Sequence, residues 1–154
     1  MAFLSNLINK LTGKSAPSRS ASSGPPMRVF VLDDDEERLK WFKRYFSKDQ
    51  VDTALDVPSA IEMLDANDYD AVFLDHDLLP EHYGAKDHDD EHSGYAVAHA
   101  LAQEAKRQRS ATIIVHSLNP DGALRMTELL HGAGYATDYI PFTMLEHRLR
   151  KYWQ

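Results

Sequence analysis

Three short runs constrain the fold of this chain most: RVFVL at 28–32, AVFL at 71–74 and TIIV at 112–115. Their apolar residues are consecutive rather than alternating, the pattern of parallel strands covered on both faces. Each run leads directly into polar residues: Asp33-Asp34-Asp35, Asp75-His76-Asp77 and His116-Ser117. The intervening stretches have helical spacing, with one apolar stripe of Leu39, Phe42 and Phe46 and another of Phe142, Leu145 and Leu149. Strands are expected at 28–32, 51–55, 71–74, 112–116 and 136–140, and helices at 36–46, 58–66, 94–108, 121–131 and 143–152. Such β-α units with short connections predict an α/β fold, a doubly wound five-stranded parallel sheet of order 2-1-3-4-5.

Ahead of these units, residues 14–26 (KSAPSRSASSGPP) have no periodicity and read as a flexible linker. Residues 1–13 carry Phe3, Leu4, Leu7, Ile8 and Leu11 on one face of a short amphipathic helix stopped by Gly13. This helix is expected to dock on its own domain or a protein partner, or to make weak membrane contact. The remaining 27–154 form the domain. No apolar run approaches the roughly 18 residues a membrane span needs, and no cleavable signal peptide is evident. The absence of cysteine excludes disulfides and thiolate chemistry. A cytoplasmic protein is therefore expected. The net charge of −7 argues against duplex nucleic-acid binding through phosphate neutralisation.

In a doubly wound sheet, ligands sit beyond the carboxyl ends of the strands where strand order reverses. Strands 1 and 3 flank that point, so Asp33 and Asp34 should face Asp75 and Asp77. Carboxylates this close raise one another's pKa unless a cation compensates them. Oxygen ligands of this kind favour a divalent ion, Mg²⁺ first, with Mn²⁺ or Zn²⁺ open if histidine joins the set. Asp35, Glu36 and Glu37 read more simply as helix-capping residues. Strand 4 should bring His116, Ser117 and Asn119 to the same edge, although Asn119 before Pro120 could equally cap the following helix. His76 reaches the site only if the chain bends after Asp75, because a continuing strand would turn its side chain away from Asp75 and Asp77.

With these residues in view, 27–154 resembles the receiver domain of two-component response regulators. The resemblance matches Asp33 and Asp34 to the receiver's acidic pair and Asp75 to its phosphoacceptor. It places Asp77 where a backbone carbonyl completes the metal site, and Ser117 near the switch residue of strand 4. Two features depart from the pattern. Receivers end strand 5 in Lys-Pro, whereas this chain has Ile140-Pro141, and the segment between Pro80 and Gly94 is long and rich in His and Asp. LDD at 32–34, LDHDL at 74–78, SGYAVA at 93–98 and IIVHSLNP at 113–120 are similar to an atypical family, the cyclic-phosphate processing receiver domains.

That resemblance implies metal-dependent phosphoesterase processing of a cyclic phosphate on a nucleotide, an RNA end or an ADP-ribose derivative. Asp33, Asp34, Asp75 and Asp77 would serve the metal, and Ser117 and Asn119 the phosphate of a small substrate. His76, His116, Asp75 and Ser117 are the candidate catalytic groups, with the acid and base roles of the two histidines open. A non-enzymatic pseudo-receiver that binds a partner, and a true phosphoacceptor receiver, are the alternatives.

Overall fold

The computed structural model describes residues 24–103 and 107–153. The candidate helix at 1–13 and most of the candidate linker lie outside the described residues. Strands β1 (Arg28–Leu32), β2 (Gln50–Ala54), β3 (Ala71–Leu74), β4 (Thr112–Val115) and β5 (Ala136–Tyr139) form one parallel sheet of order β2-β1-β3-β4-β5, as expected. Helices α1 (Glu36–Tyr45), α2 (Val57–Ala66), α3 (Gly94–Gln103) and α4 (Pro120–Gly132) connect them. The expected last helix is broken. A single α turn, α5 (Leu145–Arg148), lies between 3-10 turns at Phe142–Met144 and Leu149–Lys151. No helix among the described residues is long and apolar enough to cross a membrane.

Successive strand residues point to opposite faces, and each central strand fills two cores. Phe30, Leu32, Val72, Leu74, Ile113 and Val115 pack against α2, α3 and α4 through Leu64, Val97, Leu101, Met126 and Leu130. Val29, Val31, Phe73 and Ile114 pack against α1 and the C-terminal turns through Leu39, Phe42, Phe46, Phe142 and Leu145. Burial on both faces explains the unbroken apolar runs.

Register turns this alternation into a site. Leu32, Leu74 and Val115 lie side by side at the ends of β1, β3 and β4. The next residues, Asp33, Asp75 and His116, stay tied to the sheet by backbone bonds. Asp75 N–H donates to the Leu32 carbonyl at 3.0 Å, and His116 N–H to that of Leu74 at 3.0 Å. All three continue the alternation onto the α1 face. His76 falls on the opposite face, toward α4.

Candidate metal and phosphate site

Asp35 starts α1, its carboxylate accepting from the N–H groups of Glu37 and Arg38 at 2.9 and 3.0 Å. The capping role read for Asp35 is thus present. Asp35 N–H in turn donates to Asp33 Oδ1 at 2.9 Å, which ties the start of α1 to the end of β1. One turn in, Arg38 enters the acidic cluster. Its Nη2 lies 2.9 Å from Asp33 Oδ1, 3.1 Å from Asp75 Oδ2 and 3.5 Å from Asp34 Oδ1. The Arg38 side chain is only 3% exposed, so this is a buried guanidinium on three carboxylates. Sequence reasoning missed it, although position 38 lies four residues before Phe42 on the same helix stripe.

His116 sits behind Asp33. Its Nε2 is 2.7 Å from Asp33 Oδ2, and its ring is surrounded by Phe42, Phe73 and Phe142. Its Nδ1 is buried without a partner. Burial among the aromatic rings pushes the imidazole below its usual pKa, against the pull of Asp33. Burial by itself would raise Asp33, but His116, Arg38 and the Asp35 amide together hold its carboxyl below the ordinary value. Asp75 has no such surplus of donors. Its Oδ1 accepts from His76 N–H at 2.8 Å, and burial with Asp33, Asp34 and Asp77 nearby raises its pKa well above normal despite Arg38.

His76 follows a bend rather than a strand. Its ring lies against α4 at Gly122, where an added Cβ would come within 2.5 Å of the imidazole. The bend lets Nδ1 meet Asp77 Oδ1 at 2.7 Å, whereas Nε2 is buried and unpartnered. Asp77 also accepts from Asn119 Nδ2 at 3.2 Å. Burial would raise Asp77, but His76 and Asn119 hold it below normal. Asn119 also takes the capping role read for it, because its Oδ1 caps α4 by accepting from Gly122 N–H at 3.1 Å. Ser117 Oγ accepts from Asn119 N–H at 3.1 Å and braces the same turn. The Ser93-Gly94 pair serves the close approach of α3, since a Cβ at Gly94 would lie 1.8 Å from the Asp75 carbonyl oxygen.

The long segment after Pro80 closes one side. His82 Nδ1 accepts from Leu78 N–H at 3.0 Å and its Nε2 meets Asp89 at 3.0 Å, so the ring serves the loop's own fold. Next to it, Tyr83 O–H donates to Asp34 Oδ1 at 2.9 Å. Burial, the Asp34 bond and the Asp34 charge raise the Tyr83 pKa. Asp34 itself is raised by burial and by Asp33, partly offset by Tyr83 and Arg38. Neither Tyr83 nor His82 carried a periodic or motif signal.

A cleft of about 740 Å³ opens above these groups. Asp34, Arg38, Asp75 and Asp77 face it, Ser117 and Asn119 form one wall, and Tyr83 and Leu118 supply apolar rim surface. Of the candidate residues, Asp33, His76 and His116 do not line it; His76 bonds Asp77, which does, and His116 bonds Asp33, which holds Arg38. Among the described residues, Asp33, Asp75 and His116 bring potential ligand atoms within 4.8 Å of one another. Asp33 and His116 already bond one another and are fully enclosed, so the cleft-facing acids suit an ion better. Asp33, Asp34 and Asp75 share one guanidinium, Asp77 is held by His76 and Asn119, and burial together with the neighbouring acids raises Asp75 despite Arg38. A hard divalent cation fits this oxygen donor set.

A parallel sheet of this order with acids at the ends of β1 and β3 defines a receiver domain. The chain belongs to the family described as the cyclic-phosphate processing receiver domain, which it matches over residues 27–132. Its fold is also similar to response-regulator structures. It aligns with TrrA from Thermotoga maritima in complex with Mg²⁺-BeF at TM-score 0.56 and 21% identity, covering 81% of this chain and 97% of that one. It aligns with the signal receiver domain of an HD domain-containing protein from Pseudomonas fluorescens Pf-5 at 0.57 and 18%, covering 83% and 94%. For a Burkholderia pseudomallei response regulator with a phosphorylated aspartic acid, calcium ion and citrate, the values are 0.55 and 16%, with 81% and 67% covered. No curated protein matches the sequence.

Proposed function

We propose that this domain is a metal-dependent phosphoesterase that opens a cyclic phosphate to a monoester. The observation that carries this reading is the cleft itself. Acids with unbalanced negative charge face neutral hydrogen-bond donors across a space large enough for a nucleotide-sized ligand. TrrA, a response regulator of the same fold, was solved in complex with Mg²⁺-BeF, which supports a metal-dependent reading of the acidic cleft.

Asp34, Asp75 and the backbone carbonyl of Asp77 would hold the ion, with Asp33 behind them. When bound, the ion neutralises phosphate oxygens and lowers the pKa of a coordinated water. The chain's own residues do the rest. Ser117 Oγ accepts one hydrogen bond from Asn119, which leaves its O–H to donate to a phosphate oxygen. Asn119 Nδ2 gives one hydrogen to Asp77 and has a second for the substrate. Hydrolysis adds the water oxygen to phosphorus, breaks one P–O bond and returns a proton to the leaving oxygen. Asp75 faces the cleft and, beside its contact with the ion, would take the proton from water and pass it to the leaving oxygen. His76 and His116 act through Asp77 and Asp33, fixing those carboxylates and holding protons at Nδ1 and Nε2.

Purified protein with Mg²⁺ or Mn²⁺ should release a monoester from at least one of a panel of 2′,3′-cyclic, 3′,5′-cyclic and ADP-ribose cyclic phosphates. Asp75→Asn should abolish release. A protein that demonstrably binds metal but turns over none of them would end the proposal. The phosphoacceptor alternative rests on the position of Asp75 and would be revived by acetyl phosphate labelling lost in Asp75→Asn. Ile140, fully buried with Phe142 and Leu145, weighs against it.

A further inference from the structure

Arg38 raises a problem for any ion in the cleft. A single nitrogen, Nη2, already touches carboxylates from the ends of two strands at 2.9 and 3.1 Å and a third at 3.5 Å. That nitrogen therefore takes up carboxylate oxygens of Asp34 and Asp75, the same side chains that would hold the ion. A guanidinium and a divalent cation cannot both occupy them, because like charges at bonding distance repel strongly in a buried site. Arg38 has places to go. It faces the open cleft, its Nη2 is 3.5 Å from the Tyr83 hydroxyl at the mouth, and its guanidinium carbon lies 5.9 Å from the centroid of the Phe142 ring.

We propose that Arg38 is an internal counter-cation that competes with the divalent ion for Asp34 and Asp75 and, once displaced, contacts the phosphate of the ligand. The proposal rests on the acidic cleft being a metal site. Without an ion, the guanidinium keeps the carboxylates from repelling one another and lets the strand ends close. With an ion, two positive charges take the place of the guanidinium at Asp34 and Asp75, and the planar donor fork of arginine is freed next to an incoming phosphate, whose two non-bridging oxygens it matches in pairs. Retention of the Asp33 contacts through Nε, at 3.2 Å, would leave the side chain anchored while its tip moves. Ion and phosphate would then bind with positive coupling through one residue.

The test compares the wild-type full chain with Arg38→Met and Arg38→Lys. Mn²⁺ affinity is measured by calorimetry, thermal midpoints are measured in chelator and in Mn²⁺, and inorganic phosphate affinity is measured with Mn²⁺ present. Arg38→Met should melt lower than wild type in chelator, gain more from Mn²⁺, and bind Mn²⁺ roughly tenfold more tightly, within the usual range of coupling between two sites. It should also bind phosphate more weakly, with Arg38→Lys recovering part of that loss. Equal or weaker Mn²⁺ binding by Arg38→Met overturns the competition, and unchanged phosphate binding overturns the phosphate contact. If Arg38→Met does not fold without metal, folding restored by Mn²⁺ supports the proposal, and failure of Mn²⁺ to restore it counts against. If wild type, Arg38→Met and Arg38→Lys all bind no Mn²⁺, the metal-site reading itself falls, a result distinct from equal binding by all three proteins.

Discussion

Gly122→Ala offers a direct check on the packing that fixes His76 beside the cleft. Gly122 lies in the first turn of α4, and a Cβ there would stand 2.5 Å from His76 Cγ and 2.6 Å from Cδ2. The ring cannot simply retreat, because it is 2% exposed and bonded to Asp77 at 2.7 Å. Overpacking of this kind costs about 1–3 kcal/mol. Displacing the ring also loses a hydrogen bond to a charged group, about 1.5–3 kcal/mol. The helix-forming gain of alanine over glycine returns at most about 1 kcal/mol. The net loss should be about 3 kcal/mol, a fall in melting temperature of roughly 6–12 °C for a domain this size. Gly132, at the other end of α4, has nothing within 4 Å of an added Cβ. Gly132→Ala should therefore be neutral or stabilising by up to about 1 kcal/mol, by propensity alone. Thermal and urea denaturation of both variants in chelator decide the matter. A Gly122→Ala protein as stable as Gly132→Ala would show that His76 is not held between α4 and Asp77.

Three other outcomes follow from the same contacts. His116→Ala should cost about 3–5 kcal/mol, because it hollows an aromatic pocket and removes a partner from buried Asp33; a loss below about 1 kcal/mol in urea unfolding would contradict this placement. Asn119→Ala should lower stability by about 1 kcal/mol through the lost α4 cap, and the Asp77 carboxyl, freed of one donor, should titrate higher by NMR; an unchanged titration would argue against the Asp77 contact. Tyr83→Phe removes only the hydroxyl on Asp34 and should change stability by less than about 1 kcal/mol, yet alter Mn²⁺ affinity in calorimetry; identical affinity would separate the loop from the ion.

Much of this arrangement is legible in the sequence. Consecutive apolar residues in RVFVL, AVFL and TIIV mark central parallel strands, and the acids at their ends fall where such sheets bind ligands. Asp35 reads as a cap and serves as one. Strand β2 lies one residue earlier than its pattern suggests, at Gln50–Ala54, because its edge position leaves only Ala54 fully buried. The last helix breaks into short turns even though Phe142, Leu145 and Leu149 are buried as its stripe requires. Side-chain direction was the harder part. Alternation continued past the ends of β3 and β4 sends His116 to the α1 face and His76 to the α4 face, but the bend at His76 that brings it onto Asp77 depends on α4 packing across the chain. Tyr83 reaches Asp34 by the path of a loop, for which no periodicity exists. Arg38 had a signal, its place on the buried stripe, yet an arginine in a charged helix is ordinarily solvated.

Where the receiver pattern puts lysine at the end of strand 5, this chain puts Ile140, and the cleft receives its cation from α1 instead. Ile140 is 0% exposed and packs with Phe42, Phe142 and Leu145, the same aromatic wall that encloses His116 and underlies Arg38. The two differences belong to one rearrangement. A lysine at 140 would start among Phe42, Phe142 and Leu145, while Asp75 already carries the Arg38 guanidinium at 3.1 Å. Ile140→Lys should therefore fail to recreate a receiver site. The ammonium would be buried among apolar side chains at the end of β5, and burying a charge without a partner lies among the most costly single changes, about 3 kcal/mol or more. Urea denaturation measures that loss, and acetyl phosphate labelling measures any recovered phosphoacceptor activity. A stable Ile140→Lys protein that labels at Asp75 would mean that the lysine position is merely vacant and that Arg38 does not fill its electrostatic role.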